Sequence, residues 1–148
     1  MTNINVDDFY KDCGKTLSML YGNFPRNLTL FVEDISGTDD PDEFGIHGLR
    51  YQACFAALVW MADEKWLRFD SKIREDALDQ VVLTLPCFAL LSKPLSDLNQ
   101  TSDKNLPESV QGERATYIYQ IRQALRAKSS TQIAGIMNRF IQELAQRS

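Results

Sequence analysis

The chain has one histidine and three cysteines in 148 residues, and these scarcities remove several chemistries at once. A tetrahedral zinc site draws its ligands from several His and Cys side chains. Here there is no CxxC pair, and His47 is the sole imidazole, so such a site is not expected. Any Ser-His-Asp or Cys-His arrangement would also have to use His47, which lies between two glycines in GIHG. The GxxxxGK[ST] and GxGxxG loops that cradle phosphates are missing as well. Long apolar runs are absent too: the longest, Ala53 to Ala62, falls well short of the roughly 18 residues of a membrane span. The opening MTNINVDDFYKD is acidic and lacks the basic and apolar regions of a signal peptide, so a cytoplasmic protein is expected. Cys13, Cys54 and Cys87 lie far apart in apolar segments and are expected to be reduced, buried thiols. No enzyme and no cofactor is expected from these residues.

What is present is enough for a real core. Hydrophobic residues make up 44% of the chain, the content of an ordinary small domain. The net charge of -4 is unevenly placed, since the part from Gly112 onward carries +4 and the first 111 residues carry -8. Between Glu33 and Glu43 six acids occur without a base. Their spacing does not match an EF-hand loop, and half of them are accounted for by a capping box, with Asp40 as N-cap, Pro41 at the first helical position and Glu43 at the third.

Periodicity supplies the elements. Val6, Phe9, Tyr10, Cys13, Leu17, Leu20 and Tyr21 recur at helical spacing after a capping Asn5, and Gly22 is placed to end that helix. RNLTLFVEDIS alternates like a short strand. A short capped helix at Asp40 to Glu43, a glycine turn and a longer helix over Leu49 to Lys65 have the order of a helix-turn-helix. Trp66 to Asp70 and Leu78 to Thr84 read as a hairpin with SKIREDA as a charged tip projecting into solvent, and Cys87 to Leu91 as a short apolar helix between Pro86 and Pro94. Leu67, Phe69, Val81 and Leu83 should share its buried face. Aromatics inside these apolar runs are expected in the core, with Trp66 at a boundary where its indole N–H finds a partner. The composition over Ser96 to Gln111 turns polar, as in a linker or surface loop.

Two amphipathic helices follow. Ile118, Ile121 and Leu125 stripe the first; Ile133, Ile136, Met137, Phe140, Ile141 and Leu144 stripe the second, which Ser129 and Gln132 can cap. Stripes of this size will not remain in water. They can fold back on the first helix or pack on a twofold mate, and the notion of a homodimer is favoured because it would also gather two basic tails.

The segments ALVWMADEKWLRFD and DQVVLTLPCFALL are similar to the stretches of the winged helix-turn-helix family in which the third helix enters the wing and the returning strand meets a last small helix. DEFG with a downstream arginine, and the CF-led apolar helix, also resemble segments of uncharacterised bacterial winged-helix-like proteins. The resemblance implies a mainly α fold with a small β-hairpin or sheet, divided as residues 1–95 (winged-helix-like domain), 96–111 (linker or loop) and 112–148 (C-terminal amphipathic helices). It also implies contact with double-stranded DNA, with His47, Arg50 and Gln52 at the start of the third helix and Lys72 and Arg74 on the wing as the candidates. The acids around them, Asp39, Asp40, Asp42, Glu43, Asp70, Glu75 and Asp76, depart from a phosphate-binding face. The first expectation is therefore a non-enzymatic protein-interaction or assembly module on this scaffold, with a DNA-binding regulator as the alternative.

Overall fold

The computed structural model describes residues 4–95, 112 and 114–147, so the polar linker expected over 96–111 lies outside the described residues. Among the described residues there are six helices and four strands: α1 (Ile4–Asn23), β1 (Leu28–Phe31), α2 (Val32–Ser36), α3 (Leu49–Asp63), β2 (Leu67–Arg68), β3 (Ser71–Ile73), β4 (Ala77–Leu83), α4 (Leu85–Ser92), α5 (Tyr117–Ala127) and α6 (Ser130–Arg147). The protein is thus mainly helical with one small antiparallel sheet. No helix among the described residues is long and apolar enough to cross a membrane.

Strand β4 organises the sheet. It pairs with β1 along one edge and with β2 and β3 along the other. Leu28 lies opposite Val81 and Leu67 opposite Leu83, so Leu67, Val81 and Leu83 point into the core while Phe69 packs partly buried against it. Between Leu28 and Leu30 the register with β4 slips by one residue, and Gln80 takes a φ of 57° there, as a bulge requires.

Three local expectations need correction. The first strand stops at Phe31, and VEDIS is helix α2: Val32 and Ile35 are buried three residues apart, and Glu33 and Asp34 stand in the first turn where the helix dipole favours acids. The capping box at Asp40 to Glu43 starts no helix. Asp42 instead accepts hydrogen bonds from the N–H groups of Phe44 and Ile46, both at 2.9 Å, and this local turn competes successfully with helix. The hairpin tip is also shorter than SKIREDA. Ser71–Ile73 is strand β3, and the turn closes over residues 74–76 with Arg74 at φ 52° and the Asp76 N–H donating to the Ile73 carbonyl.

Helix α1 is the centre of the molecule, packing against α3 as well as against α5 and α6. Gly14 faces the C-terminal pair, where a methyl group would stand in ordinary contact with Ile121 Cγ2 at 3.5 Å. Ile118, Ile121, Ile133, Met137 and Phe140 are buried in the same core as Leu17, Leu30, Leu58 and Leu83. Leu125, Ile136, Ile141 and Leu144 pack partly buried against it. The two stripes therefore pack within the chain, largely on α1. Ser129 caps α6 as expected, its Oγ accepting from the Gln132 N–H at 3.2 Å. Trp66 is buried and meets Trp60 and Phe140 edge to face, so Trp60, 39% exposed, is the tryptophan at the boundary.

Candidate functional site

Arg50 and Gln52 stand in the first turns of α3 and His47 in the loop just before it, and the three side chains turn in different directions. Arg50 points back to α1. Its guanidinium donates to both carboxylate oxygens of Asp12, at 2.8 and 2.6 Å, and Nε lies 3.4 Å from Asp8. Asp12 is 1% exposed, so this is a buried charge that needs its cation. The bidentate bond to Asp12, opposed by partial burial, holds the Arg50 pKa above its ordinary value.

His47 is fastened just as fully. Nδ1 lies 2.9 Å from Asp39 and Nε2 lies 3.1 Å from Asp76, so both ring nitrogens have a carboxylate partner. Its ring stacks on Tyr51 with centroids 3.8 Å apart, and the Tyr51 hydroxyl donates to Asp76 at 2.7 Å. Burial and the bond to Asp76 push the Tyr51 pKa up. Asp39 also accepts from the Gly48 N–H; this bond and the one from His47 hold its carboxyl below the usual range. Gln52 donates its side-chain amide to the His47 carbonyl at 2.7 Å. The His47–Asp76 contact joins the loop before α3 to the hairpin turn, and the Asp76 carbonyl also accepts from the Val32 N–H at the start of α2.

Of the five residues considered for DNA, then, His47, Arg50 and Gln52 are committed to partners inside the protein. Lys72 and Arg74 are exposed on the hairpin, beside Glu75. The sequence does not bring the five together as one basic face.

What α3 does present to solvent is apolar. Leu49, Gln52, Ala53, Ala56 and Trp60 are exposed and fall at i, i+3, i+4, i+7 and i+11, within one stripe of the helix surface. Leu49 is 83% exposed, and Phe44 and Ile46 in the loop leading into α3 are exposed too. The outward side of a surface helix ordinarily carries charged or polar residues, yet here the first charge on the stripe is Asp63, at the last helical position. At that end Trp60 forms one wall of a hollow of about 350 Å³, also lined by Trp66, Pro86, Ile141 and Leu144, with Glu64, Lys65 and Arg147 at the same opening. A smaller hollow beside Phe55 and Ala56 is bounded by Glu75.

Sequence periodicity placed α3 but missed this face, because Ala53 to Ala62 looked buried on nearly all sides. The signal was there in the small residues Ala53 and Ala56 on a single side of the helix. The thiols stand away from any such surface. Cys13, Cys54 and Cys87 are buried and unpaired; burial above all pushes Cys54 and Cys87 up to about 12 and raises Cys13 well above its usual value. Among the described residues no group of three or more His, Cys, Asp or Glu is arranged to hold a metal ion. No protein-family model, no curated protein and no solved structure matches the chain.

Proposed function

We propose that this protein is a non-enzymatic interaction module on a winged-helix-like scaffold, and that it engages another protein through the outward face of α3. The scaffold is supported by the order α1, β1, α2, α3 and a β2/β3–β4 hairpin, which is the order of elements the family resemblance implies, although the short helix before α3 is Val32–Ser36 and not Asp40–Glu43. The observation that carries the function is the uncharged α3 face. A helix that reads a major groove needs donors such as Arg, Lys, Asn or Gln directed outward, and phosphate contact needs several bases around them. On this face Gln52 alone is of that kind, and its amide is already donated to the His47 carbonyl. An exposed apolar patch rimmed by polar residues favours a protein partner instead. A cytoplasmic setting for unpaired thiols belongs to the same reading.

The alternative, a DNA-binding regulator, draws its support from Lys72 and Arg74, which are exposed on the hairpin where a wing would touch the backbone. Two bases per protomer neutralise too few phosphates for a strong complex. A duplex titration at several salt concentrations discriminates the two: the interaction module shows no binding even near 50 mM salt. Salt-dependent binding that is lost in the Lys72→Ala, Arg74→Ala double variant would establish the regulator.

A further inference from the structure

We infer that a second hollow, between the N-terminal half of α1 and the turn joining α5 to α6, binds an organic phosphate monoester. It encloses about 350 Å³, room for a small molecule, and among the described residues none that line it belongs to α3, so the site goes beyond the interaction reading and does not rest on it. Three amines line the hollow: Lys11 and Lys15, one turn apart on α1, and Lys128 from the turn. Among the described residues none of the three is in an ion pair. Lys15 Nζ donates to the Ile35 carbonyl at 3.0 Å, which holds the amine in place and leaves it donors to spare.

The chain as a whole is acidic, but the hollow is not. Its three lysines face one acid, Asp7, three positive charges against one negative and a balance of +2. The other acids of α1 do not reduce it, because Asp8 and Asp12 are turned to Arg50. A phosphate monoester near neutral pH carries close to two negative charges on three acceptor oxygens, whereas a carboxylate or a sulfate ester carries one. Ser130 adds a hydroxyl at the start of α6, whose first turn holds no acid. The remaining walls, Leu125 and Ile133, are apolar and give the organic part of the ester a surface that inorganic phosphate cannot use. Lys128 takes a φ of 53°, the left-handed conformation that ends α5 and that glycine adopts most easily. A lysine in that place is harder on the backbone than glycine, but it brings an amine to the hollow.

That conformation supplies the test. Lys128→Gly removes the amine where the backbone favours glycine, so the variant folds, as its circular dichroism and melting temperature verify. In the full-length chain phenyl phosphate should shift the amide resonances of Lys11, Lys15 and Ser130 to saturation. Phenyl sulfate, of the same shape with one charge fewer, should bind about tenfold more weakly. Lys128→Gly should weaken phenyl phosphate about tenfold, the loss of one charge-assisted hydrogen bond, and Asp7→Asn should strengthen it by removing the opposing charge. Inorganic phosphate should shift the same resonances at lower affinity, since it misses Leu125 and Ile133. Phosphatidylcholine vesicles with and without phosphatidic acid tell the sources apart: binding that needs phosphatidic acid and is competed by phenyl phosphate makes the ligand a lipid headgroup, and no vesicle binding makes it a soluble ester, both in support of the site. No saturable shift up to about 1 mM phenyl phosphate, equal binding of phenyl sulfate, or affinity unchanged in both variants would overturn the inference.

Discussion

Arg50 grips Asp12 through two hydrogen bonds, 2.6 and 2.8 Å long, and this pairing turns the base that sequence placed on a DNA-reading surface into a tie between α3 and α1. Asp12 is almost wholly buried, so the pair is judged by what happens when one member is lost. Arg50→Ala leaves a carboxylate in the core and is expected to cost about 3 kcal/mol, the lower end for a broken buried pair because Arg50 itself is partly exposed. Arg50→Lys recovers only part of that, as an ammonium cannot reproduce the two-pronged contact. Urea denaturation of the three proteins measures both differences, and a loss under about 0.5 kcal/mol in Arg50→Ala would contradict the assignment.

Acid sensitivity should trace to Asp39. The Gly48 N–H and then His47 hold its folded pKa below the ordinary value, opposed by burial. Its contribution to stability is therefore complete above the ordinary carboxylate pKa and is lost as pH falls through the depressed folded value. Glu143 behaves in the same sense: burial alone would raise it, but Lys93 and Tyr117 prevail and lower it. Melting temperatures between pH 7 and pH 3 should fall less steeply for Asp39→Asn than for the parent, from a lower starting point. Equal slopes would remove Asp39 from the account.

The cysteines should be silent in the native protein. With Cys54 and Cys87 pushed up to about 12 by burial, almost no thiolate exists near neutral pH, and the side chains are shielded as well. An aromatic disulfide reagent at pH 8 is expected to react slowly with the folded chain, at a rate set by opening, and with all three thiols at once after denaturation. Rapid native labelling of even one of them contradicts the burial.

Phe140 separates two views of the C-terminal helices. It is buried against Trp66 and Tyr117 within one chain, so Phe140→Ala should lower stability by about 3–5 kcal/mol at every protein concentration. A helix pair that packed across a dimer would instead give a concentration-dependent midpoint. Denaturation at two concentrations a hundredfold apart, together with light scattering, distinguishes them.

Long elements with a clear period were legible in the sequence: α1, α3, β4 and the two C-terminal helices appear within a few residues of where periodicity put them. Two short pieces were not. Helix α2 has five residues, too few to establish a period, and its first residue, Val32, extends the alternation of Leu28 and Leu30 in β1. Asp42 carries a helix-starting signal that its own turn overrides. At the site, residue types were read correctly and directions were not. Whether Arg50 faces water depends on Asp12, 38 positions earlier, and whether Trp60 or Trp66 lies at the surface depends on Phe140, brought in by α6. Neighbouring sequence contains none of that information.

Arg122 donates to the Ser18 side chain and to its carbonyl across a separation of 104 positions, fixing α5 to α1. Most helical proteins close their contacts locally and fold quickly for that reason; here the first helix waits for partners that arrive nearly at the other end of the chain. The loop-closure entropy of that meeting is met before the core rewards it, so folding should be slow for a protein of this helix content, more like that of a β-rich domain. On a ribosome the part of α1 that meets α5 and α6 would stay uncovered until those helices had emerged, even with α3 already in place.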